Sequence, residues 1–365
     1  MNSNKVAWIH IDILTRAHEF GQGTYPKSHL WGYPLEKKSG RNTLNPLISS
    51  KLIQWICKTY NSLTKNRLGN LLIELSLLKD IRQLSCIYCV SGRLFWIPLL
   101  KGLGLINAKL VILIYRLPEN SPWWKLHDLH LSKYILNNYD GINCLTKKTE
   151  TNLKVLLKKD GIQIQYIPWG TDHFFFKRSC SVNKSIFFFA SGKTNRDYKT
   201  LVRAANKLPD IQFILIGHFD IDESNGSNIH IIKSSTSIPD KAIDYDELKL
   251  HYADCYAVCI PLNEDTNDTC GYTEMLESMA MGKPVLMTKS GCLDINLEEE
   301  NCGLYLKPND PGDWAEKIKL LAKNKSKRSV MGENGRNLVE STYNSNAYEK
   351  RIEAFLSKIV TRIQP

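Results

Sequence analysis

Apolar residues along this chain fall into short runs separated by longer, periodically apolar stretches. KVAWIHI, SCIYCV, KLVILIY and GINCLT in the first half, then IFFFA, QFILIG, IHIIK, YAVCIP, PVLMT and GLYLK, are predominantly apolar and short. Such runs predict strands, and IFFFA a buried one. WIPLLKGLGL, residues 147–159, LVRAANKL and roughly 345–360 have the spacing of packed helices. Strands alternating with helices predict an α/β protein with parallel sheets. At 365 residues the chain can bury two cores of ordinary size. HFFFKRSCSVNKS, residues 173–185, is the best linker, which divides the chain into 1–178, 179–345 and a closing helical segment, 346–365. There is no internal repeat or low-complexity tract.

The densest chemistry lies in NDTCGYTEMLESMAMGKPVLMTKSGCLDINLEEENCGLYLKPNDP, residues 267–311. A small loop runs straight into a helix, with Thr273 placed to cap it and Glu274 and Glu277 in its first turns. Gly282 suits the left-handed residue after the helix, and Pro284 opens the next strand. Backbone N–H groups at a helix start attract anions, and a small loop lets a phosphate come close. Two readings remain open here. In one, the helix start holds a nucleotide diphosphate and Glu277 accepts ribose hydroxyls; in the other, this is a buried helix whose carboxylates answer its dipole.

ESMAMGKPV, with Glu277 as a second glutamate, resembles the donor-binding signature of retaining GT-B glycosyltransferases, family 4-like (glycosyl transferases group 1). The first signature glutamate is replaced: Thr269 stands at the usual spacing, and Asp268 serves if the loop carries one extra residue. The resemblance extends to SIFFFASGKTNRDYKTLVRAANKLPDIQFILIGH, residues 185–218, a strand–loop–helix–strand, and to QIQYIPWGTDHFF, where Gly170 and Asp172 read as turn residues. It implies a GT-B architecture: two Rossmann-like domains facing each other across a cleft. The N-terminal domain would bind acceptor, the C-terminal domain nucleotide-sugar, and the last helix would cross back to the first domain. It implies Lys193 and Arg196 (Lys199 as a second candidate) as cations on the departing diphosphate, whose charge grows as the glycosidic bond breaks. Asp268 would contact the donor sugar. Gly192, Cys270, Gly271, Tyr272, Thr273 and Glu277 would form the donor site. From the N-terminal domain, Gly21, Gly23, His29 and Arg116 would contact donor or acceptor, with His29, Trp31 and Tyr33 lining the acceptor pocket, unless residues 19–34 are an ordinary loop over the domain; Tyr115 and Arg116 stand where many members carry a histidine, and Arg116 reads equally as an ion-pair residue at a strand end. The implied reaction is retaining transfer from a UDP- or GDP-sugar to a glycan or lipid-linked glycan, as in cell-surface polysaccharide synthesis. Neither cofactor nor metal is implied. A sugar-nucleotide epimerase or hydrolase, or a non-catalytic partner subunit, are the alternatives.

Charge refines the expected partners. Residues 1–178 hold 25 Lys or Arg against 11 Asp or Glu, a balance of +14, within a net charge of +11 for the whole chain. That basic half suits an anionic membrane surface or a pyrophosphate-linked lipid acceptor. Residues 47–82 mix Leu52, Ile53, Trp55, Ile56, Leu71, Leu72 and Ile73 with lysines. They read either as a pair of core-packed helices or as a surface that lies on a bilayer. Nucleic acid is not expected, since no zinc finger, RRM-like motif or strongly basic helix is present. Asp220-Ile-Asp222 and Asp244-Tyr-Asp246 have the DxD form but no supporting carboxylates, and read as surface loops. There is no dinucleotide fingerprint, P-loop or G-x-S-x-G. Cys86-x-x-Cys89 has no second pair to make a zinc site. No apolar run reaches the length of a membrane span, and MNSNKVAWIH lacks the features of a leader peptide. The expected location is the cytosol or the cytosolic face of a membrane.

Overall fold

The computed structural model of the chain describes residues 5–10, 12–33, 43–44, 50–64, 69–90, 94–115, 129–157, 160–178, 187–217, 226–233, 243–263 and 269–361. These form two compact units. The first comprises residues 1–18, 30–168 and 348–365, and the second residues 19–29 and 169–347. Residues 19–29 and 169–178 therefore fold with the second unit, although the linker signal places them in the first.

The sheet of the first unit is built from β1 (Lys5–Ile9), β2 (Thr43–Leu44), β3 (Leu84–Cys89), β4 (Lys109–Ile114), β5 (Gly141–Cys144) and β6 (Gln163–Tyr166). All pairings are parallel, in the order β2-β1-β3-β4-β5-β6. The helices between them are α1 (Ile13–Gly21), α2 (Lys51–Leu63), α3 (Leu71–Asp80), α4 (Trp96–Gly102), α5 (Leu129–Leu136) and α6 (Lys147–Leu157). Crossover helices cover the sheet, so Cys86, Ile87, Tyr88 and Cys89 on β3 are all buried. Burial raises the Cys89 thiol to about 12; Cys86 and Cys89 both sit within this core. The Tyr33 ring lies edge-on to Trp8, with centroids 6.1 Å apart.

The second unit repeats the plan. Its strands are β7 (Phe187–Ser191), β8 (Gln212–Gly217), β9 (Ile229–Lys233), β10 (Ala257–Ile260), β11 (Val285–Thr288) and β12 (Gly303–Leu306). They too are all parallel, in the order β12-β11-β10-β7-β8-β9. Its helices are α7 (Tyr198–Asn206), α8 (Tyr245–Asp254), α9 (Tyr272–Ala280), α10 (Pro311–Lys323) and α11 (Lys325–Ser341); α12 (Ser345–Thr361) starts in this unit and groups with the first from Tyr348 onward. After β9 the chain returns to the other side of β7, so strand order reverses between β7 and β10. In open α/β sheets, ligands bind beyond the carboxyl ends of the strands at such a point.

One polar group in the first core is unusual. The Glu74 side chain is fully buried on α3, and its two oxygens accept the Phe95 and Ile97 amides at 2.9 and 2.7 Å. The side chain of the α4 N-cap residue, Phe95, cannot do this work, so Glu74 caps α4 from a neighbouring helix. Burial nevertheless raises its carboxyl from 4.5 to about 7, against the pull of those amides. Between these two values the folded chain keeps a proton that the unfolded chain has lost. The native state therefore loses stability as pH rises from 4.5 to about 7 and carries the full penalty above that. The difference should amount to about 3 kcal/mol. Urea unfolding of the wild type and Glu74→Gln across this range should show that part of the slope only in the wild type.

Candidate functional site

At the reversal between β7 and β10, two loops are tied together. The Asp197 amide donates to the Pro261 carbonyl at 2.9 Å, Arg196 and Leu262 form an antiparallel bridge, and Asn263 Nδ2 donates to Asn195 Oδ1 at 3.0 Å. Asn195 takes a left-handed φ of 54° in the tight 192–197 turn. Asp197 caps α7 by accepting the Thr200 amide at 3.0 Å. Gly192 has a φ of +117°, and a Cβ there would lie 2.6 Å from Arg196 Nη2, so only glycine lets the guanidinium pass. From below, the buried Tyr198 hydroxyl donates to the Gly192 carbonyl at 2.8 Å.

Beyond the second loop, α9 begins at Gly271 rather than at a hydroxyl cap. Gly271 has a φ of +82°, and a Cβ would meet Ile260 Cγ2 at 2.8 Å and Met287 Cε at 2.9 Å. Thr273 lies inside the helix, and the cap residue offers no side-chain bond. The close approach of the chain to β10 and β11 selects glycine here, which overturns the expectation of a Thr273 cap. Gly271 brings no side chain to the cap, and the Tyr272 amide is taken by the Thr269 carbonyl at 3.1 Å, so the next amides of the first turn are those on which an anion would settle. Cys270, Gly271 and Tyr272 are buried at this start. Glu274 through Ala280 are buried as well. Gly335 of α11 is where α9 packs closely, since a Cβ there would sit 3.1 Å from Met279 Cγ.

The two carboxylates of α9 have different partners. Glu274 Oε1 accepts the Ser191 amide at 2.8 Å and the Ser191 hydroxyl at 3.0 Å. Its Oε2 faces Arg196 Nη2 at 2.9 Å, with side-chain exposures of 6% and 7%. Arg196 also donates from Nε to Ser191 O at 3.3 Å and from Nη1 to Thr194 O at 2.8 Å. Burial pushes the Glu274 carboxyl above its ordinary range, opposed by Arg196 and the Ser191 amide. Arg196 therefore does not face outward toward an incoming diphosphate, as the family resemblance implies. It is buried against a carboxylate, and Lys193, in the same loop, is the exposed cation; Lys199 is exposed on α7. Nothing local in residues 192–197 points to Glu274, which lies 78 residues further along the chain.

Glu277 lies one turn further on and is 4% exposed. Its Oε2 accepts the Tyr252 hydroxyl at 3.2 Å, and its Oε1 lies 3.4 Å from His29 Nε2. Burial, then the Glu277 and Glu274 charges, push the Tyr252 phenol well above its ordinary value, so it stays a donor. His29 thus belongs to the second unit's carboxylate site, not to a pocket of the first unit. Its segment is fastened there by Asp172, whose Oδ2 accepts the Lys27 amide at 2.7 Å, and by Trp169, whose Nε1 donates to Ser28 O at 3.2 Å. Asp172 Oδ1 also accepts the Phe174 and Phe175 amides, each at 3.1 Å, as expected of a turn residue. Tyr25, Trp169 and Tyr245 rings surround His29 with centroids 5.6–5.9 Å away. Gly21 and Gly23 lie on the same segment and are exposed, with open space where a Cβ would be.

Asp268 and Arg116 lie outside the described residues, as do Asp220 and Asp222. Thr269 is described, and its carbonyl accepts the Tyr272 amide at 3.1 Å. Asp244 caps α8 through the Glu247 amide at 2.8 Å, and Asp246 pairs with Lys249 at 2.7 Å. Among the described residues no group of His, Cys, Asp and Glu is arranged to hold a metal.

Residues 172–338 match the family described as Glycosyl transferases group 1. Over 213 residues the chain is 26% identical to an uncharacterized glycosyltransferase of Methanocaldococcus jannaschii, covering 56% of each protein. A stretch of 59 residues is 34% identical to D-inositol 3-phosphate glycosyltransferase of Corynebacterium kroppenstedtii, covering 16% of this chain and 13% of that one. The matches thus span about half, or less, of these relatives' length. Sucrose-phosphate synthase from Thermosynechococcus elongatus matches with a TM-score of 0.66 at 16% identity, over 97% of this chain and 98% of that one. Anabaena HepE in complex with UDP-glucose matches with a TM-score of 0.61 at 12% identity, over 97% and 99%. At such identities the likeness establishes the fold, which is that of the GT-B glycosyltransferases.

The buried pair has a measurable consequence. Glu274→Ala strands the Arg196 guanidinium and should destabilise the second unit by roughly 3–5 kcal/mol. Replacing both residues by apolar ones of similar volume, Arg196→Met with Glu274→Leu, should recover much of that loss. Thermal unfolding of the single and double variants decides it; additive losses would mean that the two side chains are not coupled.

Proposed function

We propose, for a chain whose residues 172–338 belong to the glycosyl transferases group 1 family, transfer of a sugar from a nucleoside-diphosphate donor to an acceptor hydroxyl. The carrying observation is that α9, with its glycine-capped start and with Glu277 one turn further on than Glu274, is joined through Glu274 to the loop that carries Lys193, at the strand-order reversal of the second sheet. UDP- and GDP-sugars are the donor classes considered, and the HepE complex with UDP-glucose favours UDP. The diphosphate would rest on the first amides of α9, near Gly271–Thr273, with Lys193 offsetting its charge. Glu277 would take the ribose hydroxyls. The Tyr252 hydroxyl holds one of its oxygens, and the other lies 3.4 Å from His29, so the carboxylate is oriented before a nucleotide arrives. Asp268 is assigned to the donor sugar.

The acceptor hydroxyl would attack the anomeric carbon on the face that the diphosphate leaves. A carbon–oxygen bond to the acceptor forms as the bond to the β-phosphate oxygen breaks. The acceptor proton passes to that departing oxygen, and configuration is retained. Arg196 acts one step back from the chemistry, holding the 192–197 turn through Glu274. The remaining loop cation and the helix start would carry the electrostatics, so activity without added metal is expected. The acceptor is taken to be a glycan or lipid-linked glycan of the kind used in surface polysaccharide synthesis.

Calorimetric titration of the protein with UDP and with GDP in the presence of a chelator tests this reading. One nucleotide should bind, and Glu277→Ala should weaken that binding by roughly tenfold or more with the fold intact. Binding of neither by the wild type would end the donor-site assignment. With a sugar nucleotide that turns over, Lys193→Ala should lower kcat by about a hundredfold or more and change KM far less.

A further inference from the structure

We propose that α2 is a docking face for an anionic lipid bilayer. The helix has a covered side and a bare side. Cys57 is fully buried, and Asn61 binds the start of α3 by accepting the Leu71 amide at 3.1 Å and donating to Asn70 Oδ1 at 3.2 Å. On the same side, Tyr60 Oη accepts Trp96 Nε1 at 3.0 Å. On the opposite side Leu52, Trp55, Ile56 and Leu63 are 67%, 65%, 48% and 81% exposed. Their spacing places them on one stripe of the helix. α3 behaves differently: Leu77 is fully buried, and Leu71, Leu72 and Ile73 are half-buried. Of the two readings of residues 47–82, core packing therefore describes α3 and not α2.

Four large apolar side chains exposed along one stripe of a helix mark an interaction surface, and the charge beside them selects the partner. Lys51 and Lys58 are exposed, two turns apart, on the flank that carries Trp55. α2 contains no acidic residue, and the sequence between Glu36 and Glu74 contains no Asp or Glu but seven Lys or Arg. A second copy of the chain across a two-fold axis would set this basic stretch against itself. Nucleic acid would answer the lysines but leave Ile56 and Leu63 in water. A bilayer bearing anionic headgroups answers both: the apolar side chains and the indole enter the interface, while the lysine heads stay at headgroup level. No helix among the described residues is long and apolar enough to cross a membrane, so contact through this helix would be peripheral.

The surface is independent of the donor site, and the test keeps the two apart. The full chain is sedimented with phosphatidylcholine vesicles and with phosphatidylcholine–phosphatidylglycerol vesicles, at low and high salt, and each sample is also titrated with UDP and GDP. The wild type should partition onto the phosphatidylglycerol vesicles and release with salt. Trp55→Gln with Leu63→Gln, both at exposed positions, should partition at least roughly tenfold less. Lys51→Gln with Lys58→Gln should lose a comparable factor on anionic vesicles only. Nucleotide binding should be unchanged in every variant. Failure of the wild type to bind phosphatidylglycerol vesicles, or equal binding by the variants, would overturn the proposal. So would a dimer in light scattering that the Trp55→Gln, Leu63→Gln pair abolishes. Lost nucleotide binding with intact vesicle binding would bear on the transferase reading alone.

Discussion

The buried ion pair between Glu274 and Arg196 is the constraint on which the geometry of the second unit's site depends. Removing two charges from water is costly, and their attraction repays that cost only when hydrogen bonds complete both groups. Here they do: the carboxylate also takes the Ser191 amide and hydroxyl, and the guanidinium also donates to the Ser191 and Thr194 carbonyls. The pair thereby fixes the end of β7, the 192–197 turn and the start of α9 against one another. Gly192 is a consequence, since a side chain there would collide with the Arg196 guanidinium, whereas Gly271 answers to the separate approach of the helix start to Ile260 and Met287.

With the turn and the helix start fixed, Glu277 has little freedom. It is one helical turn past Glu274, is held by the Tyr252 hydroxyl, and lies 3.4 Å from His29, which arrives on a segment distant in sequence. The 19–29 segment is pinned by Asp172 and Trp169, both immediately after the chain enters the second unit. In both units, carboxylates on helices do their work at backbone amides or charged groups contributed by other elements. Glu74 caps a helix other than its own, and Glu274 closes a turn after a neighbouring strand. Parallel sheets covered on both faces leave few places for polar groups, and the ends of strands and helices are where backbone donors remain to be answered.

Much of this architecture is legible in the order of the residues. Predominantly apolar runs mark most strands of both sheets, and Gly282 and Pro284 mark the end of α9 and the start of β11, because burial on two faces and backbone geometry leave local traces. The two-residue β2 carries no such trace. Thr273 has the local pattern of a cap, but the competing cause, the approach of Gly271 to Ile260 and Met287, is a contact between distant segments. Arg196 has the local pattern of a loop cation facing solvent, because its partner is 78 residues away. His29 reads as a first-unit residue because a short segment grouping with the other unit leaves no local pattern.

Residue type and near-neighbour spacing suffice for the α/β class, the two cores, the family resemblance and the basic excess of the first half. Tertiary structure alone decides which charged groups meet and which apolar side chains are covered. Periodicity assigns a residue to a face of its own helix but does not say whether another element packs there. Hence α2 and α3, both apolar and lysine-bearing in sequence, part company in the fold: one lies in the core, and the other leaves Trp55 and Leu63 facing solvent.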